Sequence, residues 1–418
     1  MVQLYLDAVT GRITGYNTII PYGYVDENLV GDGILPSLAG LAGGQALYYA
    51  DGQVTGTAPA IGDGGLCGEL EAVNREIAGL AARAGTGNKA FMDNIIGGMS
   101  LEEAREAAAK DREELQKLEG RRDILGQEYK ELACSIADRR FQQEEERAGW
   151  EYFLSMATVV RDENGYLEEW VRYHIEQVGF EHFYIYDNES SVPVKDYLES
   201  VNFKYMDRLT IIPWGTSRAT QEDSYNHFLK NYAQGTKWFL AADPDEYVYI
   251  KDGSRTLREF LEANSQYATI KCLWRHFNAN GQVSKTAGTD MERFTQETGW
   301  EGWKHGGKKF AQSNRVSRFR SYVPVERMGA RALGYGDGSA KDFFQLNHYV
   351  TRSWEEWQQK IKRGSSNPGY RRKLSMFFEL NPDMAYLDTG EDMEQGYGPA
   401  QGGGGDGGRE IKKHEISK

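Results

Sequence analysis

Three carboxylates stand within four residues at Asp243-Pro244-Asp245-Glu246, directly after the apolar run Trp238-Phe239-Leu240-Ala241-Ala242. Such a run reads as a buried strand. A strand interior cannot hold unpaired charges, because desolvating an ionised carboxylate costs several kcal/mol or more. The acids are therefore expected just past the strand's end, at the mouth of a cleft. Open α/β sheets bind ligands at that edge. Asp-x-Asp suits a divalent cation that carries a diphosphate, since two hard oxygen donors on one ion leave positions for phosphate oxygens. By itself the motif is weak, and its surroundings decide its weight.

Those surroundings alternate strand and helix from Tyr152 onward, the pattern of βαβ units in a mostly parallel sheet. Strands are predicted at Phe153–Val160, Phe183–Tyr186, Leu209–Pro213 and Trp238–Ala242, with helices at Tyr166–Val178, Val194–Ser200 and Thr220–Ala233. Strand ends deliver Arg161 and Asp162, then Asp187 and Asn188, then Asp243 and Asp245. Parallel strands place these ends on one edge. Further along come helix Thr256–Ala263, strand Ala268–Leu273, the segment Phe343–Val350 with His348, and helix Ser353–Arg363.

The first 65 residues are glycine-rich with short alternating runs, a small β-rich module suited to attachment or oligomerisation. Residues 66–150 read as helical. Ser100 and Glu103 form a capping-box pair. From there Leu115, Leu118, Leu125, Leu132 and Ile136 keep 3–4 spacing, the seam of a coiled coil that would build a homo-oligomer through residues 100–147. The alternative is one long helix packed back on its own chain. In either case Glu144–Arg147 is expected to form a solvated end leading into the next domain. A glycine-rich tail from 396 to 418 is expected to be disordered.

A net charge of −13 over 418 residues argues against a general nucleic-acid binder. Three scattered cysteines form neither a disulfide framework nor a metal motif. No apolar run is long enough to span a bilayer, and the first residues lack the pattern of a secretory signal. The expectation from these features is a cytoplasmic protein.

The region from about 152 to 380 resembles glycosyltransferase family 92 and the related family-2-like enzymes. The resemblance rests on Val160-Arg161-Asp162-Glu163, Glu169-Trp170-Val171-Arg172-Tyr173-His174, Phe183 through Ser190, Ile212-Pro213-Trp214, Tyr225-Asn226-His227, Trp238 through Tyr247, Glu292-Arg293-Phe294 and Asn347 through Ser353, in the family's order. It implies a GT-A, Rossmann-like domain over 151–395 that moves a hexose from a UDP-sugar to a glycan or other hydroxyl acceptor, with inversion. It further implies Mn²⁺ or Mg²⁺ on Asp243, Asp245 and His348. Arg161, Asp162, Asp187 and Asn188 are expected to flank the nucleotide, with Gln221 and Asn226 reaching ribose or base. Glu292 and Asp290 are the candidate general bases. Lys304, Lys308, Lys309 and Arg315 are candidate diphosphate contacts, and Trp274, Trp300 and Trp303 candidate sugar contacts. Where the family more often carries Lys-Asn-Glu, this chain carries Arg161-Asp162-Glu163.

Two other classes compete. A structural or tail-associated protein can use a transferase fold without turnover. A nucleotidyltransferase is disfavoured, because no glycine-rich phosphate loop follows the first strand. A glycosidase needs its two carboxyl groups roughly 5–9.5 Å apart across a sugar bond, whereas Asp243 and Asp245 share one turn.

Overall fold

The computed structural model describes residues 2–6, 13–18, 29–30, 48–50, 53–55, 72–78, 96–215, 220–298, 306–327, 329–334, 338–364 and 372–387. Near the start of the chain, Val2–Leu6 pairs antiparallel with Ile13–Thr18 and Leu29–Val30, and Tyr48–Ala50 pairs with Gln53–Thr55. This agrees with the β-rich reading. Trp300, Trp303, Lys304 and the tail lie outside the described residues. Among those described, no helix is long and apolar enough to cross a membrane.

Helix α1, Leu101–Arg147, opens on the expected Ser100/Glu103 capping box. Its last turns pack on the body of its own chain. Phe141 is fully buried, with the Arg315 and Arg327 guanidiniums 5.0 and 5.2 Å from its ring. Arg327 pairs with Glu144 at 2.8 Å and Arg315 with Glu145 at 2.9 Å. Gly329 makes the close approach possible: a Cβ there would lie 2.6 Å from that of Ala137, and its φ of +76° suits glycine. Glu144 and Glu145 are thus not a solvated end, and Arg315 serves this contact rather than a diphosphate clamp.

The body is built on one sheet. Its strands are β1 (Tyr152–Val160), β2 (His182–Asp187), β3 (Leu209–Pro213), β4 (Thr236–Ala241), β5 (Glu246–Ile250), β6 (Tyr267–His276), β7 (Gly307–Gln312) and, past the hairpin β8 (Val316–Arg320) and β9 (Val323–Glu326), β10 (Arg331–Leu333) and β11 (Phe344–His348). The order is β5-β11-β6-β7-β4-β1-β2-β3, with β10 beside β6. Strands β4, β1, β2 and β3 are mutually parallel; β7 joins β4 antiparallel. Side chains alternate along β4: Trp238 and Leu240 enter one core, Phe239 and Ala241 the other. Both faces are therefore covered.

Strand β4 leads into β5 through a tight turn, the Glu246 amide donating to the Asp243 carbonyl at 3.0 Å. Such a turn spans less than about 7 Å. Yet β11, β6 and β7 lie between β4 and β5 in the sheet, four spacings or roughly 19 Å if the sheet were flat. The sheet must curl at this turn, and the curl makes a concave site beside the three acids.

Helix α2 (Asn164–Tyr173), prolonged by a π-helical stretch His174–Val178 that Gly179 closes at φ +93°, fixes the turn from behind. The Trp170 indole N–H donates to the Glu246 carbonyl at 2.7 Å, and the Tyr173 hydroxyl to the Val248 carbonyl at 2.9 Å. The Tyr247 hydroxyl donates to Glu169 at 2.9 Å. The His174 Nδ1–H donates to the Trp170 carbonyl, leaving Nε2 to accept from the Val248 amide at 3.2 Å. Burial pushes the His174 pKa down to about 3, so the ring is neutral. The Glu-Trp-Val-Arg-Tyr-His run is thus a clamp on β5.

Candidate active site

A cavity of about 370 Å³ opens at the carboxyl edge of the parallel strands, lined among others by Arg161, Glu163, Asn188, Gln221, Asp243, Asp245, Trp274, Lys308, Tyr322 and His348. The acidic turn forms its floor. Each acid meets a different partner. Asp243 accepts from Gln221 Nε2 at 3.0 Å and from Lys308 Nζ at 3.1 Å. Asp245 is hydrogen-bonded by Lys360, which also donates to the Val350 carbonyl at 2.8 Å. Glu246 is fully buried and accepts from the Trp274 indole at 2.7 Å and the Asp243 amide at 2.8 Å.

Burial opposes ionisation of Asp245, but the Lys360 ammonium outweighs it and holds the carboxyl well below the usual range. For Glu246 burial dominates and pushes the pKa up to about 8, against the pull of Lys308. The Lys308 side chain, 2% exposed, lies within 3.5 Å of both Asp243 and Glu246. Two buried ammoniums thus stand in the floor, and Arg161, Arg363 and Arg372 line the walls.

His348 ends β11, in register with Glu246 on one side and His276 on the other. Its Nε2 lies 3.7 Å from Asp245 Oδ1, and burial keeps the imidazole well below its ordinary pKa. A carboxylate suits Mn²⁺ or Mg²⁺, and Mn²⁺ also accepts a neutral imidazole. The Asp243 carboxylate points to Gln221 and Lys308, and among the described residues no three or more His, Cys, Asp or Glu side chains gather as a ready metal cage. Two of the three expected donors face one another, and the third, Asp243, stands two residues before Asp245 on the same turn.

Other expectations divide. Arg161, Asn188, Gln221, Lys308 and Trp274 line the cavity. Asp162 instead faces the outside, its carboxylate accepting from the Ser191 amide at 2.7 Å. Asp187 is buried below the edge, where its two oxygens accept from the Ser190 and Val194 amides at 3.1 and 2.9 Å; it holds the loop into the helix Val194–Ser200. Asn226 clips the helix Thr220–Asn231 to Phe319 through paired backbone bonds at 2.8 and 3.2 Å. Lys309 pairs with Glu326 at 2.7 Å, since neighbours on a strand face opposite sides.

Neither candidate base lines the cavity. Glu292 is exposed and completes a capping box with Thr289, its Oε2 accepting the Thr289 amide at 2.9 Å. Thr-x-x-Glu was legible as that signature. Asp290 is buried outside the cavity and accepts from Arg352 Nε at 2.8 Å. Arg352 and Glu163 are what sequence reasoning missed. The Arg352 guanidinium also donates to Glu163 at 3.0 Å and to the Pro244 carbonyl at 3.3 Å. It ties the loop after β1, the acidic turn and Asp290 together, from a backbone at φ +53°. Lys360 and Arg363 were missed too, although they occupy the last turn of helix Trp354–Arg363.

Comparison with known proteins matches residues 151–375 to the family described as Glycosyltransferase family 92. A glycosyltransferase family 92 protein of Ricinus communis is 29% identical over 219 residues, 50% of this chain and 37% of that protein. A family 92 protein of Oryza sativa subsp. japonica is 27% identical over 109 residues, 26% of this chain and 18% of that protein. These alignments span well under half the length of the curated relatives. Among solved structures, a mannosyltransferase from Pyrobaculum calidifontis in complex with GDP-Man and Mn²⁺ aligns at TM-score 0.30 and 14% identity, covering 49% of this chain and 64% of that one.

Proposed function

This chain belongs to glycosyltransferase family 92, and from that premise we propose that it transfers a hexose from a UDP-sugar to a hydroxyl of a glycan or other acceptor, with inversion at the anomeric carbon. The observation that carries the reading is the acidic turn on the floor of a cavity that also holds two buried lysines. Loss of a nucleoside diphosphate develops negative charge on the departing phosphate. The Lys308 and Lys360 ammoniums are already fixed and desolvated, so they meet that charge without reorganising. Arg363 and Arg372 extend the positive wall for the diphosphate. On the other side of the turn, Arg161 and Asn188 take the nucleoside, as the crevice at the carboxyl ends of such strands does in open α/β sheets.

Asp243, Asp245 and His348 would hold Mn²⁺ or Mg²⁺, which when bound supplies Lewis-acid stabilisation of the diphosphate. Arg352 and Trp170 keep the turn in place for either cation set, from the Pro244 and Glu246 carbonyls. The first half of α1, where Leu101 and Ile124 are 52% and 63% exposed although Ala104 is buried, is proposed as the self-association segment.

Calorimetric titration of UDP with Mn²⁺ and with EDTA, on the wild type and Asp245→Ala, tests the reading. Metal-dependent binding that the variant loses is expected. Absence of UDP binding in every condition overturns the UDP-sugar reading and favours a non-catalytic role for the fold.

A further inference from the structure

We propose that Trp274 and Tyr322 form the platform that receives the donor's hexose, an assignment that rests on the nucleotide-sugar reading above. Both residues line the cavity and both are half-buried. Their ring centroids lie 6.2 Å apart with planes 38° from each other, and each ring packs against a core behind it while bordering the cavity. The indole is held in place by its 2.7 Å bond to Glu246. Tyr322 lies in the turn between β8 and β9, with Lys308 Nζ 4.8 Å from its ring centroid. His348 packs 5.2 Å from Trp274.

The order of the sheet decides which end of the donor lies here. Arg161 and Asn188 follow β1 and β2, on one side of β4 and its acidic turn; Trp274 and His348 come from β6 and β11, on the other. A nucleotide-sugar carries its diphosphate between nucleoside and hexose. With the diphosphate over Lys308 and Lys360, its two ends fall on opposite sides of the turn. Asn188 gives one amide N–H to the Trp214 carbonyl at 3.2 Å, which leaves its oxygen and second N–H to complement a base edge. The opposite side offers two aromatic faces, which fit the apolar C–H face of a pyranose.

Calorimetric titrations of UDP, UDP-galactose and UDP-glucose, each with Mn²⁺, into wild type, Tyr322→Leu and Tyr322→Phe decide the matter. The expected result is that Tyr322→Leu weakens at least one UDP-hexose by about tenfold, the scale of one lost aromatic contact with its buried area. UDP itself should change less than twofold, and Tyr322→Phe should restore hexose binding. Retained UDP binding also shows that the variant is folded. An equal loss for UDP and the UDP-hexoses would put the ring under the nucleoside and overturn the assignment. No change for any ligand would overturn it as well. Failure of the wild type to bind UDP would instead sink the nucleotide-sugar reading, and the platform with it.

Discussion

Arg352→Leu is the sharpest perturbation of the site's architecture. The residue is 4% exposed and donates to Asp290, Glu163 and the Pro244 carbonyl at 2.8, 3.0 and 3.3 Å. Removing one member of a buried ion pair typically costs ~3–5 kcal/mol, because the partner charge is left buried. Here Glu163 keeps Arg363, and Asp290 keeps Arg293 at 3.7 Å. The cost should therefore fall near the lower end, about 3 kcal/mol. For a domain of this size, roughly 2–4 °C per kcal/mol makes that a loss of about 6–12 °C in Tm. Urea unfolding at pH 7.5 and pH 5 measures it. Burial already raises the Asp290 carboxyl, and Arg352 is the first charge opposing the rise. Without the guanidinium the folded-state pKa rises further above the unfolded value of about 3.9. The folded state then binds more protons than the unfolded one in that window, so stability falls as pH rises through it. The deficit should be larger at pH 7.5 than at pH 5. A loss below about 1 kcal/mol at pH 7.5, or an equal deficit at both, would refute the view that this guanidinium holds desolvated carboxylates in place.

Phe141→Ala should cost ~3–5 kcal/mol by opening a cavity under α1, and limited proteolysis should then cut the helix in its last turns. Glu292→Ala should leave kcat/KM with a UDP-hexose within twofold, because this carboxylate caps a helix outside the cavity; a loss above a hundredfold would restore it as a candidate base. His174 is neutral in the fold, with its pKa pushed down to about 3 by burial. The stability it contributes is complete above pH ~6.5 and is lost as the pH falls toward that folded value, at up to about 1.4 kcal/mol per unit. Urea midpoints from pH 7 to 5 should therefore fall more steeply for the wild type than for His174→Gln.

Much of this arrangement was legible in the chain. The βαβ alternation, the Trp238–Ala242 strand and the acids beyond it follow from local pattern and from the cost of burying charge. Asp243, Asp245, Asn188, Arg161 and His348 were placed near the site from strand ends and family resemblance, and Gln221 from the start of the helix before the acidic motif; all six line the cavity. Asp187 and Asn188 show the limit of that logic. They are sequence neighbours at one strand end, yet one lines the cavity and the other caps a loop below it. Period-two alternation sends adjacent side chains apart, and nothing local says which faces the ligand.

What only the tertiary structure decided is which cations meet the acids: Lys308 and not Lys309 or Arg315 among those expected, together with Lys360 and Arg352. Lys308, Lys360 and Arg352 lie 65, 115 and 62 residues from the acids they meet. Each sits in a stretch whose local pattern is an ordinary strand, helix or loop. The curl that brings β11 and β6 over the acidic turn sets these pairings, and it arises from strand order, a long-range property. Sequence by itself determined where negative charge must leave the core. The fold determined which positive charges meet it, because buried pairing depends on distance in space and not along the chain.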